Sequence, residues 1–160
     1  SPTARGVVAA ASYEARAFGC HSAMPMARAV KLCPEAVVLS PRFSIYREYS
    51  KQVMDVLTRE SPTVEQVSID EAYVELTPIG TSLVEAEGLA HRMQARIRLE
   101  LGLPSSVGLA SSKMLAKVAC ETGKPSGFVV VPADLEGYAS GCTIRAWLYD
   151  PPSSGLGVPE

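Results

Sequence analysis

Three places in the sequence carry residue types that chemistry uses in combination. Asp70 and Glu71 stand side by side in Ser68-Ile-Asp-Glu-Ala-Tyr73, Tyr13 and Arg16 occur in Tyr13-Glu-Ala-Arg16, and Lys124 lies in Gly123-Lys-Pro-Ser-Gly127. Two convergent carboxylates repel unless a cation lies between them. Hard oxygen donors suit Mg2+, which takes one or two protein carboxylates and fills its other positions with water and phosphate oxygens. At helical spacing Tyr13 and Arg16 share a face, so a phenol and a guanidinium fork can address one phosphate. Lys124 can add a point charge. Each feature also has a plainer reading: a solvated acidic turn, an Arg stacked on a surface Tyr, and a lysine that complements a helix dipole. Lys113 and Lys117 read as solvated helix residues. His21 and His91 have no Ser, Cys or acidic partner at a telling spacing and read as non-catalytic.

The elements that position these residues are legible from pattern. Before the acidic pair the apolar positions Val67 and Ile69 are odd, and after it Ala72, Val74 and Leu76 are even. A strand cannot change parity without turning its side chains over, so a tight hairpin turn or a bulge belongs at Asp70-Glu71. Residues at such a turn escape strict alternation, and both carboxylates can lean toward one point. Upstream, Gly6 to Ala11 and Ala36 to Leu39 read as short strands, the second buried. Residues 13 to 33 read as short helices broken at Gly19 and Pro25. Arg42 to Arg59 places Tyr46, Tyr49, Val53, Val56 and Leu57 on one helical face. Downstream, Ser82-Leu-Val-Glu85 is a capping box that opens a helix ending at Gly102. A strand over Ser106 to Ala110, a helix capped by Ser111 or Ser112, and a strand over Phe128 to Val131 follow. From Val64 the order β, β, α, β, α, β predicts an α+β sheet with helices on one face. Residues 133 to 160 lose this regularity, and Pro151 to Gly155 reads as a loose tail.

The chain has 160 residues, 47% of them hydrophobic and 20% charged, enough for one domain with a core. No apolar run reaches the length of a membrane span and no signal peptide is evident, so a cytoplasmic protein is expected. Cys20, Cys33, Cys120 and Cys142 form no Cys-x-x-Cys pair, which argues for inert thiols over zinc or a disulfide framework. The net charge of −2 gives no general pull toward nucleic acid. Residues 1 to 59 hold eight Lys/Arg and four Asp/Glu, and residues 60 to 160 hold seven and thirteen. The first part can therefore favour an anion and the second a cation.

Taken in order, "VVAAASYEARAFGCHSAMPMARAVKLCPEAVVLSPRFSIYREYS", "VEQVSIDEAYVEL" and "SVGLASSKMLAKVACETGKPSGFVVV" closely resemble the Y-family translesion DNA polymerases, most nearly the bacterial polymerase IV type. The resemblance runs from about Gly6 to Pro132. It implies a polymerase palm, a ferredoxin-like antiparallel sheet, joined to a small fingers subdomain. Residues 1 to 11 would be a partial palm strand, 12 to 42 the fingers, 43 to 132 the palm (UmuC-like domain), and 133 to 160 a divergent tail without a recognisable thumb. It further implies that Asp70 and Glu71 are catalytic residues and ligands of two Mg2+ ions. Tyr13, Arg16 and Lys124 would bind the incoming nucleotide. Primer-template DNA and a dNTP would be the partners, with a sliding clamp for the full-length protein, a monomeric state and no membrane.

This sequence departs from the family pattern in places. Nothing upstream of Gly6 can be the family's first-strand Asp or its ribonucleotide-screening aromatic, Ala10 replaces a frequent hydroxyl residue, and Ser12 stands where Asn is common. The chain alone is therefore expected to be inactive or nearly so. Two other readings remain: a non-catalytic palm-derived accessory or nucleotide/DNA-binding module, and another nucleotide-using activity on the same sheet.

Overall fold

The computed structural model describes residues 6–76 and 82–132 and the backbone of 143–147. Cys142 and the Pro151 to Gly155 segment lie outside the described residues. The chain divides into two compact units, Ser1–Phe43 and Ser44–Glu160.

In the first unit the Ser12 hydroxyl accepts a hydrogen bond from the Ala15 N–H at 3.2 Å and so caps α1 (Tyr13–Ala17). Gly19 follows at φ +83°, a left-handed turn that glycine adopts without steric cost. Pro25 precedes α2 (Met26–Leu32), where its missing N–H costs nothing. Both breaks fall where the sequence places them. Val8, Cys20, Met24 and Ala29 make the small core of this unit.

The two strands expected here are not formed. Gly6 to Ala11 contributes one isolated bridge, Val7 with Pro25, and Val8 exchanges hydrogen bonds of 2.8 Å with Met24 and Ala23. Pro25 has no N–H to extend that ladder. Ala36 to Leu39 is irregular, and Val37 and Leu39 are 84% and 81% exposed. A short apolar run becomes a strand only where a neighbouring edge accepts its backbone, and none of the described strands pairs with it.

The second unit is built on a five-stranded sheet in the order β1-β2-β5-β3-β4. The strands are β1 (Val64–Gln66), β2 (Glu71–Glu75), β3 (Ser106–Ala110), β4 (Phe128–Val130) and β5 (Thr143–Trp147). All pairs are antiparallel except β3 with β4, which is parallel. The helices are α3 (Phe43–Glu60), α4 (Leu83–Leu101) and α5 (Lys113–Thr122). Ser82 and Glu85 complete the expected capping box, Gly102 ends α4 at φ +68°, and Ser112 caps α5. The parallel β3–α5–β4 unit and the β1–β2 hairpin agree with the order read from the sequence.

The register separates the two faces of this sheet. Val64 pairs with Val74, Gln66 with Ala72, Val107 with Phe128 and Leu109 with Val130. Ala72, Val74, Val107 and Leu109 form one core with Val53, Val56 and Leu57 of α3 and with Leu89, Met93 and Ile97 of α4. On α3 the buried stripe runs through Ser50 instead of Tyr49, which is 42% exposed. Serine at position 50 is kept inside by a hydrogen bond that periodicity does not reveal: Gln66 Nε2 donates to Ser50 Oγ at 3.0 Å.

Helix α5 lies against the other face, at Gly108, so the expected placement of the helices on one face holds for α3 and α4 and not for α5. A Cβ on Gly108 would stand 2.1 Å from the Ala116 carbonyl oxygen and 2.5 Å from the Cys120 backbone nitrogen. This is a backbone-to-backbone approach that only glycine permits. Behind it, Cys120 is fully buried and its Sγ donates to the Ser106 carbonyl at 3.3 Å. The tail was expected to be irregular throughout, yet it supplies β5 at the centre of the sheet. Five residues carry too little periodicity to mark a strand whose partners lie far away in sequence.

Gly108→Ala is expected to lower the unfolding free energy by about 3 kcal/mol, the upper range for overpacking, because backbone on both sides of the contact must move. Urea denaturation followed by far-UV circular dichroism measures it.

Candidate active site

The acidic pair sits at the mouth of the β1–β2 hairpin. The connection is Val67 to Asp70, closed by the Val67 and Ser68 N–H groups, both of which donate to the Glu71 carbonyl at 2.9 and 3.2 Å. The change of parity at Asp70-Glu71 thus marks a turn and not a bulge. Asp70 is the last turn residue and is half-buried, while Glu71 begins β2 and is 7% exposed. Ser68 fixes Asp70 from two directions: its hydroxyl donates to Oδ1 at 2.6 Å and accepts from the Asp70 N–H at 3.3 Å. Gln66 holds the Ser68 carbonyl at 2.9 Å with the same Nε2 that reaches Ser50. A polar chain therefore runs from α3 to the Asp70 carboxylate.

Glu71 belongs to the face covered by α5. Lys117 Nζ is 3.9 Å from Glu71 Oε1, and Lys113, one helical turn earlier, pairs with Glu65 and lies over the Tyr73 ring at 5.3 Å from its centroid. A carboxylate this deeply placed requires compensation, and the two lysines supply positive charge along that face. Lys113 and Lys117 are exposed helix residues, as read from the sequence, with side chains 53% and 51% exposed, and each in addition lies near an acid of the hairpin. Their i,i+4 spacing set against the alternation Glu65, Glu71 and Tyr73 was the available signal. It needed the pairing of a helix with a distant strand to become visible.

Lys124 lies just past α5, 2.9 Å from Glu121 Oε2 and 27% exposed.

In the first unit Tyr13 and Arg16 do share a face. The Arg16 Cζ lies 5.2 Å from the Tyr13 ring centroid, and Nε donates to the Ala11 carbonyl at 3.0 Å. The guanidinium lies over the phenol and is held by one backbone hydrogen bond, which agrees with the plainer reading of an Arg stacked on a surface Tyr. The Glu14 carboxyl between them is held below the usual carboxylate range, first by a backbone hydrogen bond within Glu14 and then by Ser12.

Among the described residues no three His, Cys, Asp or Glu side chains gather as a metal cluster. Of the two consecutive hairpin acids, Asp70 is oriented by the Ser68 hydroxyl and Glu71 faces α5 beside Lys117; carboxylate oxygens are hard donors of the kind that suit a divalent cation drawing its other ligands from water and phosphate. His91 is stacked on Phe128 with centroids 3.7 Å apart, a packing role.

The impB/mucB/samB family model matches residues 1–121. The chain belongs to that family. It is 46% identical over 133 residues to a protein named DNA polymerase IV from Exiguobacterium sibiricum, covering 83% of this chain and 37% of the relative. The protein of the same name from Streptomyces coelicolor is 52% identical over 134 residues, with coverages of 82% and 28%. Among solved structures, the insertion ternary complex of Dbh DNA polymerase superposes with a TM-score of 0.76 at 32% identity, covering 80% of this chain and 38% of that one. DinB from Sulfolobus solfataricus also gives 0.76 and 32%, with coverages of 79% and 37%. The Y-family resemblance seen in the motifs is thus carried by the whole matched region, and the chain spans well under half the length of these relatives.

Loss of the Ser12 cap is expected to loosen α1, which buries no residue of its own. Ser12→Ala should cost this helix about 1 kcal/mol, seen as faster amide exchange at Ala15, while exchange in α4 stays unchanged.

Proposed function

We propose that this chain carries the nucleotide and metal face of a translesion DNA-directed DNA polymerase, with residues 12–42 as fingers and 43–132 as palm. The whole protein would extend a primer on template DNA with dNTPs, in DNA damage tolerance and repair. The single observation that carries the reading is the acidic hairpin. Asp70 is fixed by Ser68 at 2.6 Å and Glu71 is 7% exposed beside Lys117, in a chain whose relatives at 46% and 52% identity are named DNA polymerase IV.

Asp70 and Glu71 would hold magnesium, two ions in the complete enzyme. When bound, the ions stabilise charge on the attacking and leaving oxygens of an in-line displacement at phosphorus. The chain's own residues prepare that chemistry. Ser68 orients the Asp70 carboxylate, so its geometry is set before a cation arrives. Tyr13 presents a hydroxyl, and Arg16, whose Nε is committed to Ala11, keeps its two terminal nitrogens for phosphate oxygens. Lys124 supplies a further cation for the triphosphate. In the full-length protein a sliding clamp would hold the enzyme on DNA.

The test is equilibrium binding of a dNTP with and without Mg2+, compared with ATP. Mg2+-dependent dNTP binding is expected. Asp70→Ala should weaken it at least tenfold, as should Arg16→Ala, while the far-UV spectrum is retained. In the full-length protein Asp70→Ala should lower primer extension by about 10³-fold or more. Binding that is independent of metal and untouched by Asp70→Ala would point to a non-catalytic module, and an equal response to ATP would point to another nucleotide chemistry.

A further inference from the structure

Helix α4 is buried through Leu89, Ala90, Met93 and Ile97. Gln94, beside that stripe, is half-buried and spends its side-chain amide on backbone far from its own helix. Its Nε2 lies 2.7 Å from the Ser105 carbonyl oxygen and 3.4 Å from the carbonyl oxygens of both Ser126 and Gly127. An amide nitrogen has two hydrogens to donate. One serves Ser105, just ahead of β3, and the other is shared by two carbonyls of the turn from α5 into β4. A single side chain thus joins a helix, the entry of one strand and the entry of its parallel neighbour.

The turn it grips is tightly built. The Gly127 N–H donates to the Gly123 carbonyl at 2.7 Å, and a Cβ on Gly127 would stand 1.9 Å from that same oxygen. Ser126 holds φ +58°, a left-handed conformation that a non-glycine residue keeps only where its surroundings fix it. Gln94 reaches the carbonyl of this residue from outside the turn. Lys124 belongs to the same turn, two positions before Ser126, with its Nζ 2.9 Å from Glu121 Oε2. A lysine ammonium sits on a flexible four-carbon stem, so its reach toward a phosphate is set by the backbone that carries it.

We propose that Gln94 is a positioning residue for Lys124: by holding the Ser126 and Gly127 carbonyls against α4 and the start of β3, it fixes the backbone from which the lysine ammonium meets a nucleotide phosphate. It acts through the turn and not on the nucleotide. This role rests on the reading of Lys124 as a nucleotide ligand under the function proposed above, and Gln94 lies in none of the motifs that carry that reading.

The test is a double-mutant cycle on the full chain, read by equilibrium binding of a dNTP with Mg2+. Gln94→Met keeps the length and neutrality of the side chain and removes the donor. Lys124→Met is expected to weaken binding about tenfold, as loss of one charge-assisted contact does, and Gln94→Met about threefold. The double variant should bind as weakly as Lys124→Met and no more weakly, because a residue that acts through the lysine has nothing to act on once the lysine is gone. Effects that multiply overturn the role of Gln94 and leave that of Lys124 standing, as does a Gln94→Met chain that binds like the unmodified one. A Lys124→Met chain that binds like the unmodified one overturns the nucleotide reading of that lysine, and the role of Gln94 with it.

A second measurement needs no nucleotide. In Gln94→Met the Gly127 amide is expected to exchange about tenfold faster, while amides of residues 89–97 keep their rates. Unchanged exchange at Gly127 overturns the anchoring. Gln94→Ala gives the same comparison should methionine disturb the packing of α4, with the same outcomes expected and the same ones decisive against the role.

Discussion

The contact of α5 with Gly108 governs the working face of the second unit. Because no side chain stands on that residue, helix and strand backbones meet where any Cβ would lie 2.1 Å from a carbonyl oxygen. All five residues of β3 are buried as a result. The helix also comes to rest where Lys113 and Lys117 face Glu65 and Glu71. With that approach, Glu71 is nearly buried, 3.9 Å from the Lys117 ammonium. Strong local fields require this kind of exclusion.

Much of this was legible because local rules and tertiary packing agree. The capping box at Ser82 and the glycine at 102 bound α4 whatever surrounds it, since both act within one turn of the helix end. The hairpin turn showed itself as a change of parity, because one buried face cannot tolerate a slip of one residue. What stayed hidden depends on partners distant in sequence. Ala36 to Leu39 has the composition of a strand and lacks an edge to join. Thr143 to Trp147 is unremarkable in composition and finds two edges. Lys117 is exposed as its sequence suggests, but its nearness to Glu71 depends on a distant strand, and Ser50 stands in an apolar stripe because Gln66 supplies its hydrogen bond.

The first unit works by a different economy. No residue of α1 is fully buried, and its five residues are held by the Ser12 cap, by the turn through Gly19 and by Ala15 packing against the small core. Isolated helices this short are not stable in water. On its exposed side Arg16 lies over Tyr13 and its Nε donates to the Ala11 carbonyl. A preorganised guanidinium loses less freedom when it meets an anion than a free one would. Serine at position 12, where the family commonly has asparagine, is accounted for locally, since both residues are strong helix caps.

Asp70 shows how far a side chain at the end of the hairpin turn is tied into the fold. Its carboxylate is held by the Ser68 hydroxyl, the Ser68 carbonyl by Gln66, and Gln66 by Ser50 inside α3. Of these, Ser50 stands at a place where an apolar residue would pack more simply. Ser50 is 6% exposed on a helix otherwise buried through Val53, Val56 and Leu57. A fold optimised for its core alone would put an aliphatic side chain there. Retaining serine gives up a little hydrophobic burial and gains a fixed hydrogen-bonded route to the hairpin tip. The Asp70 carboxylate is thereby tied to the helix layer, so the orientation of the site belongs to the scaffold and not to the turn alone.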